Sequence, residues 1–271
     1  MSTFTTSPAE SGAHASGGAL VRAIDRWIYV IMAVSFITYT LVGFVPDSLM
    51  KMELVAAGQR PPFPAVLHVH SILMGAFLLL LLAQTTLMAT GRRQLHQTLG
   101  IAGLAIGPAL VIVGFILVPT MYHQVWGGMQ AAPPPIQAEM QQGLRAFDNI
   151  MLLQIKIGIL FPIFLAIALL ARRTDSGLHK RMMILSIAPA LPAAFDRMTW
   201  LPTTLPASPL APDLYTLAAI APMFLWDVFR TRAIHKAYVI WFALFLAAGI
   251  AVHLLWDSEW WHATAPKLVG L

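Results

Sequence analysis

The chain has 271 residues, of which 58% are hydrophobic and 11% charged, with a mean hydropathy of +0.72 and a formal net charge of +5. That composition excludes a water-soluble globular domain and describes a protein whose solvent is mostly lipid. There is no cysteine, which excludes disulfides and thiolate metal sites and leaves His, Asp, Glu, Met and Tyr as ligands.

The opening MSTFTTSPAESGAHASGGAL, residues 1–20, lacks both a basic start and an apolar core. It is expected to be a disordered cytoplasmic tail and not a cleavable signal. Apolar runs of about 20 residues, enough to cross the hydrocarbon layer, begin near Trp27, Val66, Thr98, Phe147, Met182, Leu214 and Ala237. They predict an all-α bundle of seven transmembrane helices over residues 21–262, followed by a short outer tail, 263–271.

Orientation follows from the basic residues, which are retained on the cytoplasmic side of short loops. Arg22, Arg26, Arg92, Arg93, Arg172, Arg173, Lys180, Arg181, Arg230, Arg232 and Lys236 fall on one side, against Lys51, Arg60, Arg145 and Lys267 on the other. A cytoplasmic N-terminus and an outer C-terminus in a bacterial inner membrane are expected. The sequence pI of about 9.8 then reflects topology and attraction to anionic lipid, with no nucleic-acid partner implied.

Pro46 to Pro64 and Pro119 to Ala146 are expected to be long outer segments. AAPPPIQ stiffens the second, and the polar AEMQQGLRAF after it has helical character. DSEWWHATAP places Trp260 and Trp261 at the level of an outer aromatic belt.

A weak repetition marks the inner ends of three helices. RRQLHQTLG, SGLHKRMMI and TRAIHKAYV each put basic residues beside His96, His179 or His235, where an amphipathic ring suits the headgroup zone. An inner cofactor site is the alternative for these histidines. In helix three, Gly100, Gly103, Gly107 and Gly114 share a side that admits a close neighbour. Pro108, Pro162, Pro189, Pro192 and Pro222 are expected to kink their helices.

FPAVLHVHSILMGAF opens helix two with His68 and His70. On a regular helix their side chains diverge by about 200°, so the two cannot ligate one metal unless the helix starts after His68. Polar residues on both faces predict a central position for this helix.

Depth singles out a candidate site. His70, Lys156, Asp196, Arg197 and His253 fall one to two turns below the outer surface, with Tyr122, His123, Asp148 and Asn149 just above. Intramembrane charges cost a few kcal/mol or more unless paired or hydrated, and such a layer points to a functional cavity with Asp196, Lys156 and Arg197 as its reactive groups. The structural alternative pairs Lys156 with Asp196 and lets Arg197 snorkel.

There is no H-E-x-x-H, G-x-S-x-G or P-loop. A haem b could be held by His70 and His253, with a second pair among His96, His179 and His235. A single non-haem metal, iron or zinc, could be held by His68 or His70, His253 and Asp196. The leading expectation is a haem- or metal-binding redox protein working with a lipid-soluble substrate or quinone. A metal-dependent membrane enzyme and a proton-coupled transporter are the alternatives.

LHVHSILMGAFLLLLLAQTTLMATGRRQLHQTLG, LHKRMMILSIAPALPAAFDRM and WDVFRTRAIHKAYVIW together resemble a family of uncharacterised bacterial polytopic membrane proteins, over most of Pro64 to Trp241. The resemblance implies a multi-pass helical fold and no particular activity. A weaker similarity to two-haem transmembrane cytochromes b consists of paired histidines on a helical bundle.

Overall fold

The computed structural model describes the backbone of residues 8–271 and the side chains from residue 18 onward. Of the expected tail over residues 1–20, residues 1–7 lie outside the described residues, and the backbone from Pro8 onward is helical. Nine α-helices and no strand are found among the described residues. They are α1 (Pro8–Ala56), α2 (Ala65–Ala89), α3 (Arg93–Ala131), α4 (Pro134–Ala171), α5 (Ser176–Leu185), α6 (Pro192–Phe195), α7 (Leu210–Thr231), α8 (Lys236–Leu255) and α9 (Glu259–Leu268).

Five of them, α1 from Gly18, α2, α3, α4 and α8, are long and apolar enough to cross a membrane. Their outward side chains agree with that reading. Leu170, Leu254 and Ile72 are 80%, 76% and 71% exposed, and a bundle with such a surface buries its apolar residues against lipid and not water. The sixth apolar run becomes α7, 22 residues long and set apart from the five by Asp213, Asp227 and Arg230.

The fifth run is not one helix. Pro189 and Pro192 divide it into α5, a single 3-10 turn over Ala188–Ala190, and α6. Pro189 has no N–H to give the carbonyl of Leu185 one turn back. The indole Nε1 of Trp241 donates to that carbonyl instead, at 2.9 Å. This broken segment is the best-buried part of the fold: Met182, Ile184, Leu185 and Ala188 are fully enclosed. Irregular backbone is tolerated at membrane depth under that condition alone, inside protein or along a cavity.

The two long segments expected on the outer side are helical extensions, not loops. α1 runs through Pro46 to Ala56, α3 runs through Pro119 to Ala131, and α4 begins at Pro134. A proline removes one hydrogen bond, and the flanking turns carry the helix past it. At 1.5 Å per residue α4 is about 57 Å long, well beyond the roughly 30 Å of hydrocarbon.

α4 is central, packed on α3, α5, α8 and α9, whereas α2 packs on α1 and α3. The expected central place of helix two is therefore corrected. Two of its hydroxyls are satisfied locally, Ser71 donating to the Leu67 carbonyl at 2.9 Å and Thr85 to the Leu81 carbonyl at 3.0 Å. His70 Nδ1 and the Gln84 amide are buried without a partner among the described residues, and Ile72 and Leu79 point outward.

The main core is aromatic. Trp241 stacks on Phe245 at 4.4 Å between ring centres and lies beside Phe164 and Tyr238. A second cluster, around α9, joins Tyr122, Leu144, Met151, Leu152, Trp261 and Ala265. The expected outer tail thus contributes to packing: α9 docks on α4, and Trp261 is enclosed while Trp260 alone stays exposed.

Glycine admits two close approaches. A Cβ on Gly43 would stand 2.3 Å from the Ala194 carbonyl oxygen, where α1 meets α6 backbone to backbone. On Gly107 it would lie 2.7 Å from a methyl of Leu165, where α3 meets α4. Gly114, the last member of the expected stripe, has open space around it.

Candidate functional site

Lys156 lies on α4, fully enclosed, and its ammonium is 2.5 Å from Oδ1 of Asp213 in the first turn of α7. The ammonium also sits 4.1 Å from the centre of the Phe245 ring on α8. His253, two turns further along α8, brings Nε2 to 4.0 Å from the other oxygen of Asp213. Gly249 lies beside the pair, where a Cβ would make ordinary contact with Asp213 Oδ2 at 3.4 Å and Lys156 Nζ at 3.8 Å. The arrangement joins a desolvated cation, a carboxylate and an imidazole with one partly exposed edge, drawn from three helices.

Lys156 and His253 are therefore brought together, but around Asp213, which the depth argument passed over. Asp196 is not their partner. Its side chain is exposed at the rim of a cavity of about 230 Å³ formed with Phe195, Thr199, Pro202 and Tyr215. Arg197 turns to α1, where it donates to Asp47 at 3.2 Å and lies over the Phe44 ring at 4.4 Å. Lys51 joins the same carboxylate at 2.7 Å.

His68 stacks edge-on against Phe63 at the start of α2. His70 is half-buried, and its Nδ1 has no hydrogen-bond partner. No hydrogen bond or ion pair links His68, His70 or Asp196 to Lys156 or His253 among the described residues. No grouping of three or more His, Asp or Glu with metal-binding geometry occurs among them either.

The signal for Asp213 was available. Asp213, Thr216, Ile220, Met223 and Asp227 recur at spacings of three and four on α7 and are all buried, the pattern of an inward helix face. Asp227, at the other end of that stripe, takes Nε and Nη2 of Arg181 at 2.7 and 2.8 Å and also accepts from the Tyr238 hydroxyl. One face of α7 thus carries a buried ion pair at each end.

Toward α9 a polar cap closes the end of the bundle beyond Lys156. Asp148 accepts from the Tyr122 hydroxyl at 2.6 Å, and its other oxygen lies 2.8 Å from Nδ1 of His262. Nε2 of His262 is 3.0 Å from Asp257, so the ring bridges the two carboxylates. The His262 hydrogen bond holds the Asp257 carboxyl below its ordinary range. Trp261 Nε1 donates to the backbone of Asp148 at 2.8 Å. Of the residues expected in this layer, Asn149 receives the Asp257 N–H at 3.0 Å, and His123 meets the Val269 carbonyl at 2.7 Å.

The three repeated histidines serve helix ends. His96 and His179 hydrogen-bond through Nδ1 to the carbonyls of Gln84 and Ala168, at 3.3 and 2.8 Å, with their rings 6.4 Å apart. His235 caps α8, accepting the Ala237 N–H on Nδ1 at 3.1 Å. Burial, followed by the Arg181 charge, pushes the His235 pKa down.

Compared with protein-family models, with curated proteins and with solved structures, the chain matches none of them. The functional reading rests on the site itself.

Proposed function

We propose that the chain is a seven-span protein of the bacterial cytoplasmic membrane, N-terminus inside and C-terminus outside, in which the Lys156–Asp213–His253 group exchanges protons in a proton-coupled transport cycle. α7 and the broken α5–α6 segment supply the two spans beyond the five long apolar helices. The observation that carries the reading is an ion pair enclosed among apolar helices with an imidazole 4.0 Å from its carboxylate.

While Asp213 is ionised it holds Lys156. A proton on Asp213 cancels the attraction and leaves a desolvated ammonium, a state relieved by movement or by loss of the Lys156 proton. His253, partly exposed, offers the carboxylate a route for that proton. The neighbouring broken segment resembles, in physical terms, the interrupted helices on which transport sites are built.

The haem and single-metal readings fit the residues less well. His70 and His253 come from α2, which packs on α1 and α3, and α8, which packs on α4 and α5, whereas a haem b takes two imidazoles facing each other across one gap.

Purified protein in liposomes containing a pH-sensitive dye tests the proposal. Under an imposed membrane potential the wild type should carry protons inward, and Asp213→Asn and Lys156→Met should each reduce the flux at least tenfold, with Asp196→Asn unchanged. A Soret band in the purified protein together with no proton flux would overturn the reading in favour of haem.

A further inference from the structure

At the basic end of the bundle, α1, α5 and α7 form a half-open pocket of about 220 Å³ lined by Asp25, Tyr29, Lys180, Arg181, Asp227 and Arg230, among others. Its carboxylates are already taken. Asp25 receives Nε and Nη2 of Arg230 and the Trp226 indole, the contacts running from 2.8 to 3.1 Å. Asp227 is held by Arg181 and Tyr238.

Three donors on the cavity wall are left over. Lys180 Nζ makes no ion pair among the described residues and rests 5.1 Å from the centre of the Tyr29 ring. The Tyr29 hydroxyl and Nη1 of Arg230 have no hydrogen-bond partner among the described residues. With three cations to two carboxylates, the wall carries one positive charge in excess.

We propose that this cavity is a binding site for a phosphate group. A phosphomonoester offers about two negative charges and three strong acceptor oxygens, matching the unused donors in number and sign. A lone carboxylate would serve fewer of them. Arg230 and Lys180 contribute charge-assisted bonds, which are shorter and stronger than neutral ones. The residues occupy the first half of α1, the middle of α5 and the end of α7, at the basic end of the bundle, the end that the proposed orientation places toward the cytoplasmic lipid phosphates. The phosphate can therefore arrive on an inner-leaflet lipid headgroup or on a soluble phosphate compound. The site stands on groups separate from Lys156, Asp213 and His253, and does not depend on the transport reading.

The test uses the full chain in neutral detergent, titrated calorimetrically with inorganic phosphate, glycerol 3-phosphate and short-chain phosphatidic acid. Saturable binding is expected, weakened at least tenfold by Lys180→Gln and several-fold by Tyr29→Phe. Neither change touches the two ion pairs. Arg173→Gln, an exposed cation outside the cavity, should leave binding unchanged. Binding of the lipid alone identifies the headgroup as the source, and binding of all three admits soluble phosphate compounds. Absence of saturable binding by any of the three would overturn the proposal, as would equal weakening by Lys180→Gln and Arg173→Gln, which marks diffuse surface charge. If Lys180→Gln does not fold, Tyr29→Phe carries the comparison.

Discussion

Lys156 reaches across from α4 to close on Asp213 at 2.5 Å, with only 2% of the lysine side chain and 12% of the aspartate side chain accessible. Removing one partner leaves the other charged and desolvated, a loss of about 3–5 kcal/mol for buried pairs. Lys156→Met and Asp213→Asn should each lower the melting temperature in detergent by more than the double change does. Losses that add would show that the two do not act as a pair. Asp196→Asn, exposed and without a hydrogen bond, should have little effect.

Gly43 tests the contact between α1 and the broken segment. Gly43→Val places atoms inside the Ala194 carbonyl and should destabilise by at least the roughly 1–3 kcal/mol of an overpacked core. Gly114→Ala, with open space around it, should be neutral or gain up to about 1 kcal/mol from helix propensity. Melting both variants beside the wild type separates close packing from a general dislike of side chains on these helices.

The His235 cap should make stability fall with acid. Its folded pKa lies below the ordinary value of 6.5, so the unfolded chain takes up the proton more readily. The contribution is full above about pH 6.5 and shrinks as pH falls through the interval below it. Protonation of Nδ1 also ends its acceptance of the Ala237 N–H. His235→Asn keeps a capping oxygen without a titration. Melting curves from pH 8 to 5 should show a decline in the wild type that is reduced in this variant.

His262 clamps α9 between Asp148 and Asp257. His262→Ala takes this contact from both carboxylates, at about 1–3 kcal/mol for the buried Asp148, while the exposed Asp257 turns to water. Hydrogen exchange should then rise over Glu259–Leu268 while the α8 amides keep their protection. Unchanged exchange in α9 would assign its docking to Trp261 alone.

The proposed orientation has a clean assay, because the chain contains no cysteine. Single cysteines at Ala57 and Ala132 should react with an impermeant maleimide in intact cells, and one at Gln94 should not. Labelling at Gln94 would invert the orientation drawn from the basic residues.

Apolar run length located the long spans because crossing hydrocarbon is a one-dimensional requirement that each segment meets on its own. Pro46 and Pro119 misled the reading of the outer segments, since a proline costs one hydrogen bond in a helix and whether the helix resumes depends on its neighbours. Depth marked Lys156 and His253 correctly as neighbours in level. It could not choose between Asp196 and Asp213, because partner choice depends on helix rotation. In α7 that rotation was written in the spacing of Asp213, Thr216, Ile220, Met223 and Asp227. The phase of the broken segment had no such mark: Pro189 and Pro192 reset it, which left Asp196 at the rim.

The indole of Trp241 stands in for a backbone donor that Pro189 lacks, and this imposes an order on biogenesis. In the proposed seven-span arrangement the Leu185 carbonyl is made 56 residues ahead of its partner, and an unsatisfied carbonyl in hydrocarbon costs several kcal/mol. Until α8 is made, the middle of the bundle can be inserted but not sealed. A nascent chain halted before Trp241 should stay loosely assembled and open to quality-control proteolysis, and maturation of the whole protein waits on its last long span.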